Sequence, residues 1–271
     1  MIASPDTERV RVLSRETGYT PLTAAVLSAR GIDTPQAAAD YLSCDVRGLH
    51  DPFGLTDMDK AVEVVREVID RGEKMVVYGD YDVDGITATC IMVDYLRYRG
   101  ASCEYYIPNR LSEGYGLSRT AMEELYQRGA RLMITVDSGI TANEAIAIAR
   151  DLGIQAVVTD HHEVPFGATP AGRRYLLPRA EAIIDPKQED CAYPFSKLCG
   201  AGVAFKLIQY LYRKQGIPAE ELENLLEYVA IATVADVMDL EGENRVLVKE
   251  GLKRLRHTKK PGLQALMEAC Q

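Results

Sequence analysis

Apolar residues recur along this chain at two alternating periods. Asp59–Arg71 carries Ala61, Val64, Val65, Val68 and Ile69 at helical spacing and stops at Gly72. Lys74–Tyr78 is then a short apolar run that reads as a buried strand. The exchange repeats: helix over Gly85–Arg99, strand over Cys103–Ile107, helix over Ser118–Arg128, strand over Arg131–Val136, helix over Thr141–Leu152, strand over Ile154–Val158, and a short strand over Ala182–Ile184. Strands separated by helices of about ten to fifteen residues imply βαβ crossovers and a parallel sheet. After Cys199 the pattern turns helical, over Gly202–Lys214, Ala219–Val234 and Asn244–Arg256. Residues 1–57 are more polar, with helical patches at Leu22–Leu27 and Pro35–Leu42, and read as a helical lead-in to a domain over 58–271. The prediction is an α/β domain, a parallel sheet with flanking helices and a helical C-terminal part. The chain closes on LQALMEACQ, an apolar-periodic helix without a Gly or Asn stop. That ending predicts a further domain beyond it.

A chain of 271 residues, 47% hydrophobic and 26% charged, can bury a sizeable core and is not mainly disordered. No stretch approaches the roughly 18 uninterrupted apolar residues of a membrane span, and the N-terminus lacks a basic-then-apolar signal. The expected location is the cytoplasm. A net charge of −9 argues against a generic nucleic-acid coat protein, while leaving room for acidic metal sites. Cys44, Cys90, Cys103, Cys191, Cys199 and Cys270 lie scattered with no C-x-x-C pair, which favours reduced thiols over a zinc finger or disulfide framework.

The acids change the picture further. Gly79-Asp80-Tyr81-Asp82-Val83-Asp84-Gly85 follows directly on the first predicted strand. Aspartates at alternate positions repel one another unless a divalent cation neutralises them. The bland alternative is a solvated acidic turn. An EF-hand loop fails, because its twelfth position would be Ile91 rather than Glu. Asp137 follows the strand Arg131–Val136, where a lone Asp is often a helix cap. Asp160-His161-His162 follows Ile154–Val158 and holds two of the four histidines in the chain. Asp236 stands within the apolar segment Ile231–Leu240, as a helix-end cap or as a group held by a metal. In a parallel sheet, ligands gather at the carboxyl ends of the strands. Oxygen-rich ligands with one or two histidines suit Mn²⁺ or Mg²⁺ better than zinc. Two ions sharing one Asp would hydrolyse phosphate esters.

Together these residues resemble the DHH phosphoesterase superfamily. YGDYDVDGITAT (Tyr78–Thr89), YIPNRLSEGYGL (Tyr106–Leu117), VDSGI, TDHHE, IDPKQEDCAYPFSKLCGAGVAFKL (Ile184–Leu207) and ATVADVMDLEGENRVLV (Ala232–Val248) look like its RecJ branch of single-strand-specific exonucleases. The resemblance implies 5′-to-3′ degradation of single-stranded DNA in repair and recombination, with two Mn²⁺ or Mg²⁺ ions. Single-strand-binding protein is a further partner it implies, and a membrane is not. It implies that Asp82 and Asp137 hold one ion, with Asp80 beside them. Asp84, Asp137, His161 and Asp236 would hold the other. His162 would contact the scissile phosphate, Asp160 would orient His161, Arg110 would clamp phosphate and Tyr115 would stack a base. Tyr78 stands where relatives often carry His, which makes the first ion's shell carboxylate-based. The family's second, DHH-associated lobe has no counterpart in the sequence. The run Lys249–Lys260 reads first as a solvated helix face and second as a DNA-facing patch. The alternatives are a DHH oligoribonuclease, a cyclic-dinucleotide phosphodiesterase, and a non-catalytic DHH scaffold. The retained acids and histidines favour an enzyme.

Overall fold

The computed structural model describes residues 6–43, 46–114, 116–169 and 172–270. The chain divides into two compact units, Met1–Leu49 and His50–Gln271.

The first unit holds three helices, α1 (Thr7–Thr17), α2 (Pro21–Ser28) and α3 (Pro35–Ser43). They close around Leu13, Ala24, Leu27 and Ala38. The last two match the expected patches. The first, mostly polar, is announced by its caps instead. Asp6 accepts from the backbone of Glu8 and Arg9, and Gly18 ends the helix in the left-handed conformation.

The second unit is the predicted parallel sheet. Its strands β1 (Met75–Gly79), β2 (Cys103–Tyr106), β3 (Leu132–Val136), β4 (Gln155–Thr159) and β7 (Ala182–Ile184) lie in the order β2-β1-β3-β4-β7, with every neighbouring pair parallel. Helices α6 (Arg119–Gln127) and α7 (Asn143–Asp151) cover one face through Met122, Leu125, Ile146 and Ala149, against Val76, Tyr78, Met133 and Val158. Helices α4 (Met58–Asp70), α5 (Val83–Tyr98) and α8 (Gly200–Gln215) pack on the sheet as well. Helices α9 (Leu226–Ala235) and α10 (Gly242–Leu255) extend this layer, α9 resting on both α5 and α8, and α11 (Pro261–Ala269) follows. The strand order reverses between β1 and β3, which is where an open α/β sheet places its ligand crevice.

Three departures from the sequence reading have local causes. Helix α5 starts at Val83 rather than Gly85, because the Asp82 carboxylate accepts from Gly85 N and caps it. Residues Ala219–Leu225 form a 3₁₀ helix instead of joining α9. Leu222 and Leu225 are both buried there, three residues apart, at the 3₁₀ period. A hairpin of β5 (Phe166–Thr169) and β6 (Gly172–Tyr175) stands where the sequence pattern predicts no element. Its strands carry no apolar alternation. Phe166 meets Tyr175 edge-on at 6.2 Å, with Arg173 stacked 4.4 Å over the Phe166 ring.

Lys206 and Glu243, both wholly buried, form an ion pair between α8 and α10. Lys206 also donates to His50 O at 3.0 Å, and Glu243 accepts from His50 N and from the Tyr193 hydroxyl. Every charge in this group therefore has a partner, which is the condition for tolerating buried ions. Lys206→Ala is expected to cost about 3–5 kcal/mol by stranding Glu243. The double variant Lys206→Met/Glu243→Met should cost much less. Urea unfolding of the two variants checks this.

Candidate metal centre

Four strands end in an aspartate or lead straight to one. Asp80 follows β1, Asp137 follows β3, Asp160 follows β4 and Asp185 follows β7, and all four are buried. The turn after β3 is stapled by Thr135 Oγ1 donating to Ser138 O, and by Thr159 Oγ1 donating to Thr135 O. It holds Asp137 at φ 56°, in the left-handed region that Asp tolerates better than most residues. From the first turn of α5, Asp84 points both carboxylate oxygens at the start of α8. They accept from Gly200 N at 2.6 Å and Ala201 N at 2.7 Å. The positive end of that helix favours a carboxylate there.

Two glycines make this approach possible. A Cβ on Gly200 would lie 2.5 Å from Asp137 Cβ, and one on Gly85 would lie 2.5 Å from Asp80 O. The sequence reading singles out neither glycine, although a signal for Gly200 exists in the Cys-Gly-Ala-Gly run at a predicted helix start. It misses Asp185 too, although the strand-end pattern that picks out Asp80, Asp137 and Asp160 applies to it equally.

The ligand atoms of three overlapping groups lie within 4.8 Å of one another: Asp80, Asp82 and Asp137; Asp84, His161 and Asp236; and Asp137, His161 and His162. His161 Nε2 lies 3.1 Å from Asp137 Oδ1, 3.6 Å from Asp84 Oδ2 and 3.8 Å from Asp236 Oδ2. Asp236 occupies the C-cap of α9 and turns its carboxylate to this group. Asp160 engages His162 rather than His161, contrary to the sequence reading. Its Oδ1 lies 2.7 Å from His162 Nδ1 and reaches His161 only through the backbone N–H. Its Oδ2 accepts from Ile140 N at 2.9 Å. Both oxygens are thereby engaged, and the imidazole that the carboxylate bonds is that of His162.

Arg110 lies over the Tyr81 ring at 5.2 Å, and Tyr81 stands between Asp80 and Asp82 in sequence. The Arg110 loop is ordered by Asn109 and Glu113, with Tyr78 donating its hydroxyl to Gly116 O. Tyr115 lies outside the described residues. In the basic run, Lys253, Arg254 and Lys260 pair with Glu250, Glu223 and Glu227. No disulfide joins the described cysteines. Among the described residues no helix is long and apolar enough to cross a membrane.

The electrostatics of the cluster match a cation. Burial first, then Asp84, Asp82, Asp160 and Asp80, push the Asp137 carboxyl up to about 11. Burial pushes Asp84 up to about 6 against its two backbone donors, with Asp236 and Asp82 adding to the rise. Burial and the neighbouring His162 charge hold His161 down to about 4, so it is neutral at pH 7 and offers a lone pair. Asp137 Oδ1, Asp80 Oδ1 and His161 Nδ1 are buried without a hydrogen-bond partner. Crowded carboxylates, orphaned acceptors and a neutral imidazole fit hard divalent ions.

Residues 74–233 match the DHH family, N-terminal domain. The single-stranded-DNA-specific exonuclease RecJ of Bacillus subtilis is 39% identical over 98% of this chain, and that of Escherichia coli 40% identical over 92%. The chain spans 32% and 43% of the lengths of these two relatives. The crystal structure of RecJ in complex with Mn²⁺ from Thermus thermophilus superposes with a TM-score of 0.78 at 29% identity, covering 98% of this chain and 36% of that one. A crystal structure of exonuclease RecJ bound to manganese gives 0.69 at 35% identity, over 79% of this chain and 52% of the other. With a matched segment that contains every strand-end aspartate of the sheet, the chain belongs to the DHH family.

Proposed function

We propose that residues 58–271 form the metal-binding lobe of a RecJ-like single-stranded DNA exonuclease. It would act in the 5′-to-3′ direction in repair and recombination, hydrolysing phosphodiester bonds with two Mn²⁺ or Mg²⁺ ions. The observation that carries this reading is that Asp137 belongs to two of the three ligand groups and His161 to two, with His161 Nε2 3.1 Å from Asp137 Oδ1, so that the group around Asp82 and the group around Asp84 adjoin at that contact. Asp137, standing between them, would be the carboxylate that a pair of adjacent ions shares.

Asp80, Asp82 and Asp137 would hold one ion, and Asp84, Asp137, His161 and Asp236 the other. Bound there, the ions would polarise the phosphate and lower the pKa of the attacking water. The chain's own part is positional. Asp84 has two tasks, accepting from the start of α8 while turning toward His161. Asp160 holds His162 Nδ1, which leaves Nε2 to face the substrate. That hydrogen bond, more than any other influence, raises the His162 pKa and keeps its ring cationic to higher pH. A cationic donor held in place beforehand suits a phosphate that gains charge in the transition state. Arg110, with a planar fork that can grip two phosphate oxygens, lies exposed over the Tyr81 ring. The family match and the two RecJ relatives support the substrate class.

Mn²⁺-dependent digestion of 5′-labelled single-stranded DNA tests the reading. Asp137→Ala should lower the rate by about 100-fold or more, the loss of several kcal/mol of charge stabilisation. Cleavage of a short RNA but not DNA would move the protein to an oligoribonuclease. Asp160→Asn should lower kcat and shift the alkaline limb of the rate profile to lower pH, since His162 then loses its proton sooner.

Stability gives an assay free of substrate. The folded pKa of Asp137 lies above its ordinary value of 3.8, so the stability linked to its protonation is present below about pH 4 and is lost as pH rises toward 11. In EDTA at pH 8, Asp137→Asn should therefore melt several degrees above the parent, and the gap should close below about pH 4. Added Mn²⁺ should raise the parent's Tm and leave the variant nearly unmoved, because a cation that binds the folded state alone stabilises it. Melting curves followed by circular dichroism check both.

A further inference from the structure

Beside the cluster stands a cation that belongs to none of the three ligand groups. Lys187 follows β7 by three residues, at the start of the segment Ile184–Leu207. Its backbone is fixed. Asp185 Oδ1 accepts from Lys187 N at 2.8 Å, and Gln188 Nε2 donates to Ile183 O at 2.9 Å. β7 is in turn tied to the DHH turn, because Asp160 N donates to Ile184 O at 3.0 Å. The Lys187 side chain is 27% exposed and its ammonium lies 3.1 Å from Glu163 Oε1. Glu163 is the residue after His162, and its side chain is 88% exposed. A pair of this kind, open to water on one side, adds little stability. The positive charge nevertheless reaches the site. After burial, it is among the charges acting on Asp236, Asp185 and His161, and after the Asp160 hydrogen bond it is among those acting on His162.

Resting on the phosphodiesterase reading, we propose that Lys187 binds a phosphate of the nucleic-acid strand next to the one engaged at the metal cluster. Glu163 holds the ammonium in place until the strand arrives. The position follows from the geometry. The cluster is lined by carboxylates, whereas the ammonium pairs with the exposed carboxylate of Glu163, next to His162 in the chain, which a phosphate oxygen can replace. A polyanion approaching so acidic a centre needs fixed cations along its path. Lys187 supplies one on the His162 side, and Arg110 supplies one on the Tyr81 side.

The test compares two substrates in Mn²⁺: a 5′-phosphorylated thymidine tetranucleotide, and bis(4-nitrophenyl) phosphate, which has a single phosphate. Lys187→Gln should raise KM for the tetranucleotide about tenfold, with kcat within about twofold, because the contact is made equally in the ground and transition states. The slope of log KM against log salt should fall by about 0.7, one phosphate contact to a single strand. Lys187→Arg should restore both, and Glu163→Gln should lower KM. Hydrolysis of the single-phosphate diester should stay within about twofold in all three variants, the margin left by the Lys187 charge acting at a distance on His162. A Lys187→Gln chain with wild-type KM and salt slope on the tetranucleotide overturns the proposal. So does equal damage on both substrates, which would put Lys187 at the reacting phosphate or in a structural role. A wild-type chain that hydrolyses neither substrate overturns the phosphodiesterase reading instead.

Discussion

Like charges confined to a small, dry space set the terms for this structure. Asp80, Asp84 and Asp137 converge with His161 at the carboxyl edge of the sheet, with Asp236 half-buried and Asp82 exposed beside them, and burial of the first three removes much of the water that would spread their charge. Such an arrangement is unfavourable unless protons or cations compensate it. The surrounding fold supplies partial compensation. The N-terminus of α8 meets Asp84, and three N–H groups meet Asp160. What it leaves uncompensated is concentrated on Asp137 and Asp80.

The sheet turns this local problem into a defined geometry. Parallel strands deliver their chain ends to one edge in register, and β1, β3 and β4 end level, with Gly79 opposite Val136 and Val136 opposite Thr159. Each following residue then enters the same layer. Helix α5, which follows β1, and α8, which starts against Asp137 after β3, must both come close to that layer. The side chains absent at Gly85 and Gly200 provide the clearance.

Much of this was legible in the sequence. The alternation of strand-like with helical runs locates every strand of the large sheet, most clearly β1, β3 and β4, because a strand buried on both faces is a dense apolar run. The acids at strand ends could be picked out by the same logic. What could not be read was orientation. Asp160 and its two histidines are adjacent in sequence, and nothing in their spacing says which ring the carboxylate faces. The role of Gly200 depends on a contact across 63 residues of chain (137 to 200) that no local pattern carries. Across the β5–β6 hairpin the ring contacts are one aromatic pair and one cation over a ring, interactions without periodicity. The 3₁₀ turn before α9 spans seven residues, too few for its three-residue spacing of buried leucines to stand apart from an α-helical pattern in the sequence.

The double duty of Asp84 bears on how kindred sequences drift. Its carboxylate is the anchor for the first turn of α8, a helix of the core, so a lineage that abandons catalysis is still under pressure to keep it. Asp236 makes no hydrogen bond with its side chain among the described residues and sits partly exposed at a helix end, free to change once chemistry no longer matters. Persistence of the first aspartate is thus weak testimony that a homologue is active, and loss of the second is strong testimony that it is not.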